Sequence, residues 1–173
     1  MSNKNKANDN QDLTEIYKPY IEGLNENSPV IGIDLGTTNC CVGTWRMNKV
    51  EIITNPLGER TTPSIVGFKK KELTIGKAAK NVMYNNDTSS MSNSKRLIGR
   101  LFKDKSVQND IKYLPINIEE DSITKKPQYC IKVGNEEKKY FPEDVSSMIL
   151  KYLKEFSEEF IGKEVKKDSS SIF

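Results

Sequence analysis

The sequence has no histidine among its 173 residues, and its only cysteines are Cys40, Cys41 and Cys130. Without histidine, the chain cannot build a Ser-His or Cys-His nucleophilic pair from its own residues. The cysteines show no C-x-x-C spacing, and zinc would lack its usual nitrogen ligand, so we expect no structural zinc site. The chemistry that suits the remaining residues is electrostatic positioning of a phosphoryl group.

Long apolar segments are also missing. No apolar run approaches the roughly 18 residues that a membrane-spanning helix needs, and the N-terminal stretch has no apolar core of a secretory signal. We therefore expect a cytoplasmic chain with no membrane partner. The net charge of +3 is not gathered into a basic stripe with interleaved aromatic residues, so nucleic acid is not an expected partner.

The two commonest nucleotide-binding signatures are absent, since the chain contains neither G-x-x-x-x-G-K-[ST] nor G-x-G-x-x-G. What it contains is the segment Val30–Thr44, which reads VIGIDLGTTNCCVGT. Its β-branched beginning predicts a strand that ends at Asp34, and a second strand is predicted over Cys40–Trp45. With a third predicted strand over Val50–Thr54, this order is typical of an antiparallel meander.

The turn between the first two predicted strands has the composition of an oxyanion site. Gly36 lets the backbone approach a ligand closely, and Thr37 and Thr38 add hydroxyl donors to the backbone N–H groups. Asp34 is placed to hold a hydrated Mg²⁺, because this ion keeps several waters and takes one or two carboxylates. The alternative is an ordinary hairpin turn, in which Asp, Gly and Thr are common.

Three motifs follow one another along the chain: Val30–Trp45, then NPLGERTTPS at Asn55–Ser64, then SKRLIGR at Ser94–Arg100. In this order they resemble the beginning of the ATPase domain of the 70-kDa heat-shock protein family of molecular chaperones. The resemblance covers roughly residues 30–165.

The resemblance implies an α/β protein with the actin-like (ribonuclease H-like) ATPase fold, represented by its first lobe only. It implies an antiparallel or mixed sheet within residues 29–165 and an inserted small α/β subdomain at about residues 64–138. The family's second phosphate loop and the catalytic carboxylate between the lobes have no counterpart in the sequence. Residues 166–173 read as a polar tail where the family continues into another core strand, so we expect a truncated product.

The resemblance also implies roles for individual residues. Lys95 is the expected catalytic lysine, and Asp34 is the expected carboxylate that holds Mg²⁺ through water. The expected contacts to ATP or ADP are Gly36, Thr37, Thr38, Asn39 and Thr61. Without the family, Lys95 together with Arg96 and Arg100 is more typical of a solvated basic face.

By resemblance, the chain is the N-terminal nucleotide-binding lobe of a heat-shock-70-type chaperone. The complete family couples ATP hydrolysis to the binding and release of unfolded polypeptides, with J-domain cochaperones and nucleotide-exchange factors as partners. Because a nucleotide is normally held by both lobes, one lobe is expected to be weak or inactive as an ATPase alone. Two alternatives stay open: a noncatalytic interaction fragment with vestigial nucleotide binding, and a sugar kinase of the actin-like superfamily.

Residues 1–28 precede the resemblance and are rich in Asn, Lys and Asp, so we expect a mobile N-terminal extension. Within them, an apolar stripe at helical spacing predicts a short amphipathic helix that docks on the domain or on a partner, although Pro19 opposes a continuous helix. The stripe consists of Leu13, Ile16, Tyr17, Tyr20, Ile21 and Leu24.

A long helix is predicted from about Pro142 to Ile161, because proline suits the first helical position and Gly162 is placed to end the helix. Its apolar stripe is predicted to be core: Val145, Met148, Ile149, Tyr152, Leu153, Phe156 and Phe160. Cys40 and Cys41 are neighbours on a predicted strand, so they point to opposite faces and at least one is expected to fill the core. The alternative is a redox-sensitive thiol near the nucleotide.

Overall fold

The first three strands form the antiparallel meander that the sequence predicts. In the computed structural model, which describes residues 29–84, 89–165 and 170–172, β1 is Ile31–Leu35, β2 is Asn39–Arg46 and β3 is Lys49–Ile52. β1 pairs with β2 and β2 with β3, both antiparallel. The helix predicted within residues 1–28 lies outside the described residues.

The other elements follow in chain order, and a single 3₁₀ turn at Ile111–Tyr113 separates α3 from β8. They are β4 (Thr62–Pro63), β5 (Val66–Lys69), β6 (Glu72–Ile75), α1 (Lys77–Tyr84), β7 (Ser90–Met91), α2 (Ser94–Leu97), α3 (Lys105–Asp110), β8 (Asn117–Glu120), β9 (Pro127–Val133), β10 (Glu136–Tyr140), α4 (Pro142–Ile161) and β11 (Ser170–Ile172).

One face of the main sheet is buried, because side chains alternate between the two faces of a strand. Ile31 and Ile33 of β1 point into the core, as do Cys40 and Val42 of β2. Asp34 follows Ile33 on β1, so its side chain lies on the opposite face, and it is exposed. The strand alternation therefore turns the site carboxylate away from the core.

The end of the chain differs from the prediction made from its sequence. Residues 166–173 were expected to form a polar tail in place of a further strand, but β11 joins the main sheet parallel to β1 and pairs Ile31 with Ser170. Backbone N–H and C=O groups form this pairing, so a polar sequence does not prevent it. The sheet order is β11-β1-β2-β3, with β4 also paired to β2, which confirms a mixed sheet.

Two small antiparallel sheets lie in the stretch where an inserted α/β subdomain is expected. β5 is the centre of one sheet between β6 and β7, and β9 is the centre of the other between β8 and β10. β9 and β10 form a hairpin that turns at Gly134-Asn135. The described part of the chain is thus a mixed α/β structure.

Helix α4 has the predicted bounds. Asp144 accepts a hydrogen bond from the Phe141 backbone N–H at 2.8 Å, which satisfies a donor at the helix start, and Gly162 ends the helix with φ of 74°. Val145, Ile149 and Leu153 are fully buried. Phe160 is 39% exposed, so its predicted core position is wrong, because the last turn of α4 meets solvent.

None of the helices in the described ranges combines the length and the apolar composition needed to cross a bilayer.

Candidate functional site

The hairpin between β1 and β2 turns within three residues, Gly36, Thr37 and Thr38, which we call the hairpin loop. The backbone folds back so closely that a Cβ atom at Gly36 would collide with the carbonyl oxygen of Asn39. Only glycine fits here without a shift of the backbone. Thr38 and Asn39 are exposed and Thr37 is half-buried, so this tight turn offers its outer side to a ligand.

A second segment supports the hairpin loop from the core side. β4 pairs with the start of β2, placing Pro63 opposite Asn39 and Thr62 opposite Cys40. The Ser64 backbone N–H donates to the Thr38 carbonyl at 2.9 Å. The Ser64 hydroxyl donates to the Gly36 carbonyl at 2.7 Å. The loop conformation is therefore fixed by residues far away in the sequence.

Thr61 comes directly before β4 and is exposed. Its carbonyl oxygen accepts a hydrogen bond from the Asn55 side-chain amide at 3.2 Å. The buried Asn55 also accepts hydrogen bonds from the backbone N–H groups of Leu57 and Glu59, each at 3.0 Å. One buried amide thus orders the loop before β4, and the structure brings Thr61 to the strand that holds the hairpin loop.

Cys40 is a core residue with only 1% exposure, which confirms that at least one of the two adjacent cysteines fills the core. Its sulfur lies 3.1 Å from the Ser64 hydroxyl oxygen. Burial raises the pKa of the Cys40 thiol and is the largest influence on it. A thiol with a raised pKa is a poor nucleophile at neutral pH, which disfavours the redox alternative for Cys40.

Lys95 lies on α2, a short helix whose first and last residues are anchored. Ser94 is buried and its hydroxyl contacts that of Ser146 on α4 at 3.2 Å, and Leu97 is 1% exposed. Lys95 itself is exposed between these anchors. The core contacts of α2 therefore present the ammonium group to solvent.

Asp34 and Lys95 are both charged groups that influence the Cys40 thiol. The pKa of the Cys40 thiol is raised mainly by burial, and the charges of Asp34 and Lys95 act on it in opposite directions. Asp34 belongs to β1, which pairs with the strand that carries Cys40, and Lys95 belongs to α2. Within residues 29–84 and 89–165, neither group forms an ion pair.

This arrangement can hold an oxyanion together with a hydrated divalent ion. It combines an exposed carboxylate with two threonine hydroxyls at a tight turn, and Lys95 on α2 is also exposed. In the described part of the chain, no cluster of three His, Cys, Asp or Glu side chains is suited to a metal. A lone carboxylate that leaves most ligands to water fits Mg²⁺, which keeps much of its hydration shell.

Sequence reasoning missed Ser64, which makes the contacts that hold the hairpin loop. Its only signal was its place at the end of the Asn55–Ser64 motif, directly after a proline. The hydrogen bond to Gly36 joins residues on different strands and becomes visible only in the folded chain.

The chain is similar to heat-shock proteins in sequence. A family model described as Hsp70 protein matches residues 30–169. The heat shock cognate 70 kDa protein 3 of Dictyostelium discoideum is 46% identical over 135 residues, covering 78% of this chain and 21% of the relative. The heat shock 70 kDa protein 2 of Paracoccidioides lutzii is 44% identical, and the heat shock 70 kDa protein of Trichophyton rubrum is 45% identical, each over 135 residues.

For these two relatives the match covers 78% of the chain and 20% of the relative. The chain therefore spans about a fifth of the length of the curated relatives it matches.

Proposed function

The chain belongs to the Hsp70 family, and from this premise we propose that residues 29–165 form the first nucleotide-binding lobe of an actin-like ATPase domain. We propose the stretch at about residues 64–138 as the inserted subdomain. The mixed main sheet and the two smaller antiparallel sheets support this assignment.

The observation that carries the proposal is the exposed, tightly folded hairpin loop, with the exposed carboxylate of Asp34 on the strand that leads into it. Phosphate groups bind well where backbone N–H groups, hydroxyls and a cation converge. We assign the phosphate contacts to Gly36, Thr37, Thr38 and Asn39, and a further contact to Thr61.

Asp34 is assigned to Mg²⁺ through water. Its exposure and its lack of an ion pair within the described ranges leave its oxygens available to the waters of a hydrated ion. Bound Mg²⁺ would supply neutralisation of phosphate charge. Direct protein ligation is not required for this role, because nucleotide phosphates and water complete the ion's shell.

Lys95 is assigned to the γ-phosphate and to the attacking water. A compact ammonium group stabilises negative charge that develops during phosphoryl transfer. This stabilisation is largest when the ammonium group is already held in position before the reaction begins. The anchoring of α2 through Ser94 and Leu97 supplies such positioning.

For the whole protein we propose the family's activity, in which ATP hydrolysis drives binding and release of unfolded polypeptides. J-domain cochaperones and nucleotide-exchange factors are the proposed partners, and the cytoplasm is the proposed location. In the chain as described, one lobe offers only part of a nucleotide's contact area, so we expect binding to be weak and turnover to be slow or absent.

Calorimetric titration of the chain with Mg-ADP and Mg-ATP tests the proposal. We expect saturable binding of both nucleotides, and Lys95→Ala is expected to weaken Mg-ATP about tenfold, the factor that corresponds to about 1.4 kcal/mol, because a charged hydrogen bond is lost. Mg-ADP should change less, since it has no γ-phosphate.

Lys105→Ala is the matched control, because Lys105 is an exposed lysine at the start of α3 and has no assigned role. The absence of heat from either nucleotide at millimolar concentration would contradict the proposed function. An equal loss for ATP and ADP in Lys95→Ala would contradict the γ-phosphate assignment alone.

A further inference from the structure

Ser64 is a nearly buried residue, 4% exposed, whose contacts converge on the hairpin loop. Its backbone N–H binds the Thr38 carbonyl at 2.9 Å and its hydroxyl binds the Gly36 carbonyl at 2.7 Å. The hydroxyl oxygen also lies 3.1 Å from the Cys40 sulfur. A single residue thus contacts both ends of the loop, through its hydroxyl at Gly36 and its backbone N–H at Thr38, and its hydroxyl also contacts the first buried residue after the loop.

The direction of these hydrogen bonds follows from proton counting. A serine hydroxyl has one hydrogen, and that of Ser64 is donated to the Gly36 carbonyl. The contact with Cys40 must then run from the thiol hydrogen to the Ser64 oxygen. Burial raises the pKa of the Cys40 thiol and keeps that hydrogen in place. The result is a chain of two hydrogen bonds from Cys40 through Ser64 to Gly36.

The two carbonyls that Ser64 binds determine where two backbone N–H groups point. In a planar trans peptide unit, the C=O of one residue and the N–H of the next point in opposite directions. The described chain contains no cis peptide bond. Because the carbonyls of Gly36 and Thr38 face Ser64, the N–H groups of Thr37 and Asn39 face away from it.

We propose that Ser64 is a positioning residue that orients the N–H groups of Thr37 and Asn39 toward the phosphates of the bound nucleotide. This inference rests on the proposed function and deepens it, because it names what prepares the loop before the ligand arrives. Donors that are already oriented need no rearrangement when an anion binds, so the affinity depends on the group that holds them. Cys40 supports the Ser64 hydroxyl from the core.

The first test compares Ser64→Ala with Ser157→Ala. Ser157 is a matched control, because it is 0% exposed and its hydroxyl also donates to a backbone carbonyl, that of Leu153 at 2.6 Å, but it lies on α4. We expect Ser64→Ala to weaken Mg-ADP binding about tenfold, the factor that corresponds to about 1.4 kcal/mol, and Ser157→Ala to leave it unchanged. Ser64→Thr retains the hydroxyl and is expected to restore most of the affinity.

The second test needs no nucleotide. Amide hydrogen exchange, followed by nuclear magnetic resonance, is expected to accelerate at Thr37 in Ser64→Ala, because the hydroxyl that holds the Gly36 carbonyl is lost. Exchange at Asn39 should change less, because the Ser64 backbone N–H still binds the Thr38 carbonyl. In Ser157→Ala, exchange at both residues should stay unchanged. Equal losses of affinity in the two alanine variants, or unchanged exchange at the loop in Ser64→Ala, would overturn the proposal. If the unsubstituted chain binds no Mg-ADP, the proposed function fails, and the exchange result alone decides whether Ser64 orients the loop.

Discussion

At the scale of single residues, strand alternation explains which groups reach the site. Asp34 is exposed because Ile33 beside it points into the core. The same rule separates Cys40 from Cys41, although the sequence does not show which of the two is buried. The structure decides this because Cys40 shares its face with Val42, and both are 1% exposed.

Gly36→Ala is expected to destabilise the chain by about 1–3 kcal/mol, the usual cost of forcing extra atoms into a closely packed place. The added Cβ would collide with the Asn39 carbonyl oxygen. Urea denaturation measures the loss of unfolding free energy.

Gly32→Ala is the control for this change. It adds the same atom to β1, but nothing lies within 4 Å of the new Cβ. A loss as large in Gly32→Ala as in Gly36→Ala would show that the close turn is not the cause.

The contacts of Ser64 could not be predicted from the sequence. The composition of the hairpin loop predicted an oxyanion site, because glycine and threonine have local properties that do not depend on the fold. The hydrogen bond from Ser64 to Gly36 depends on β4 lying beside β2, and that pairing is a property of the folded chain. The position of Lys95 relative to Asp34 was inferred from the family resemblance for the same reason.

At the scale of elements, α4 was predicted to its ends because both ends carry local signals. Pro142 lies in the first turn, Asp144 caps the Phe141 backbone N–H, and Gly162 adopts a left-handed conformation. β3 was less well placed, since it was predicted over 50–54 and is found at Lys49–Ile52. Strand ends depend on the partner strand, which local sequence does not specify.

Glu158 links the end of α4 to the residues that follow. Its carboxylate accepts hydrogen bonds from the Lys154 ammonium and from the Val165 backbone N–H at 2.7 Å. The hydrogen bond from Lys154, with that from Val165, lowers the pKa of Glu158. The stabilisation is therefore complete above the unfolded pKa of about 4.3 and is lost as the pH falls through the lower folded pKa.

Glu158→Gln is accordingly expected to lower the free energy of unfolding at pH 7 by less than about 1 kcal/mol, because the pair is partly exposed and screened. The difference from the unsubstituted chain should shrink as the pH falls from about 5 to about 3. Urea denaturation at several pH values measures this.

Glu155→Gln is the comparison variant, since Glu155 makes a longer and more exposed ion pair with Lys151, at 3.8 Å. A difference between Glu158→Gln and the unsubstituted chain that stays constant over this pH range would contradict the role of the Glu158 charge.

At the scale of the whole molecule, one continuous apolar cluster joins the main sheet, α4 and the two smaller sheets. Ile31 of β1, Leu153 of α4, Met91 of β7 and Tyr129 of β9 all belong to it. The mixed α/β class followed from strand patterns and from the resemblance. The pairing of β5 with β7 and the addition of β11 did not, because both join segments distant in sequence.

Leu153→Ala is expected to cost about 2–5 kcal/mol of unfolding free energy, since Leu153 is 0% exposed within this cluster. The fluorescence of Trp45, the only tryptophan, reports on the main sheet, and circular dichroism reports on the whole chain. Because the cluster is continuous, both signals should shift together to lower urea concentration.

Leu57→Ala, at a position 62% exposed, is the control and should change stability by less than about 0.5 kcal/mol. Separate transitions for the two signals in Leu153→Ala would show that the main sheet and the rest of the chain unfold independently.

The order of elements along the chain has a consequence for biosynthesis. β1, β2 and β3 leave the ribosome before α4, which contacts β1, contributes to the core beneath the sheet and is translated only after residues 53–141. At about 5–20 residues per second, on the order of ten seconds pass before α4 has been synthesised and can cover the apolar face of the nascent meander. During that interval its apolar face is open to ribosome-associated folding helpers, and a pause in translation before residue 142 would prolong the exposure.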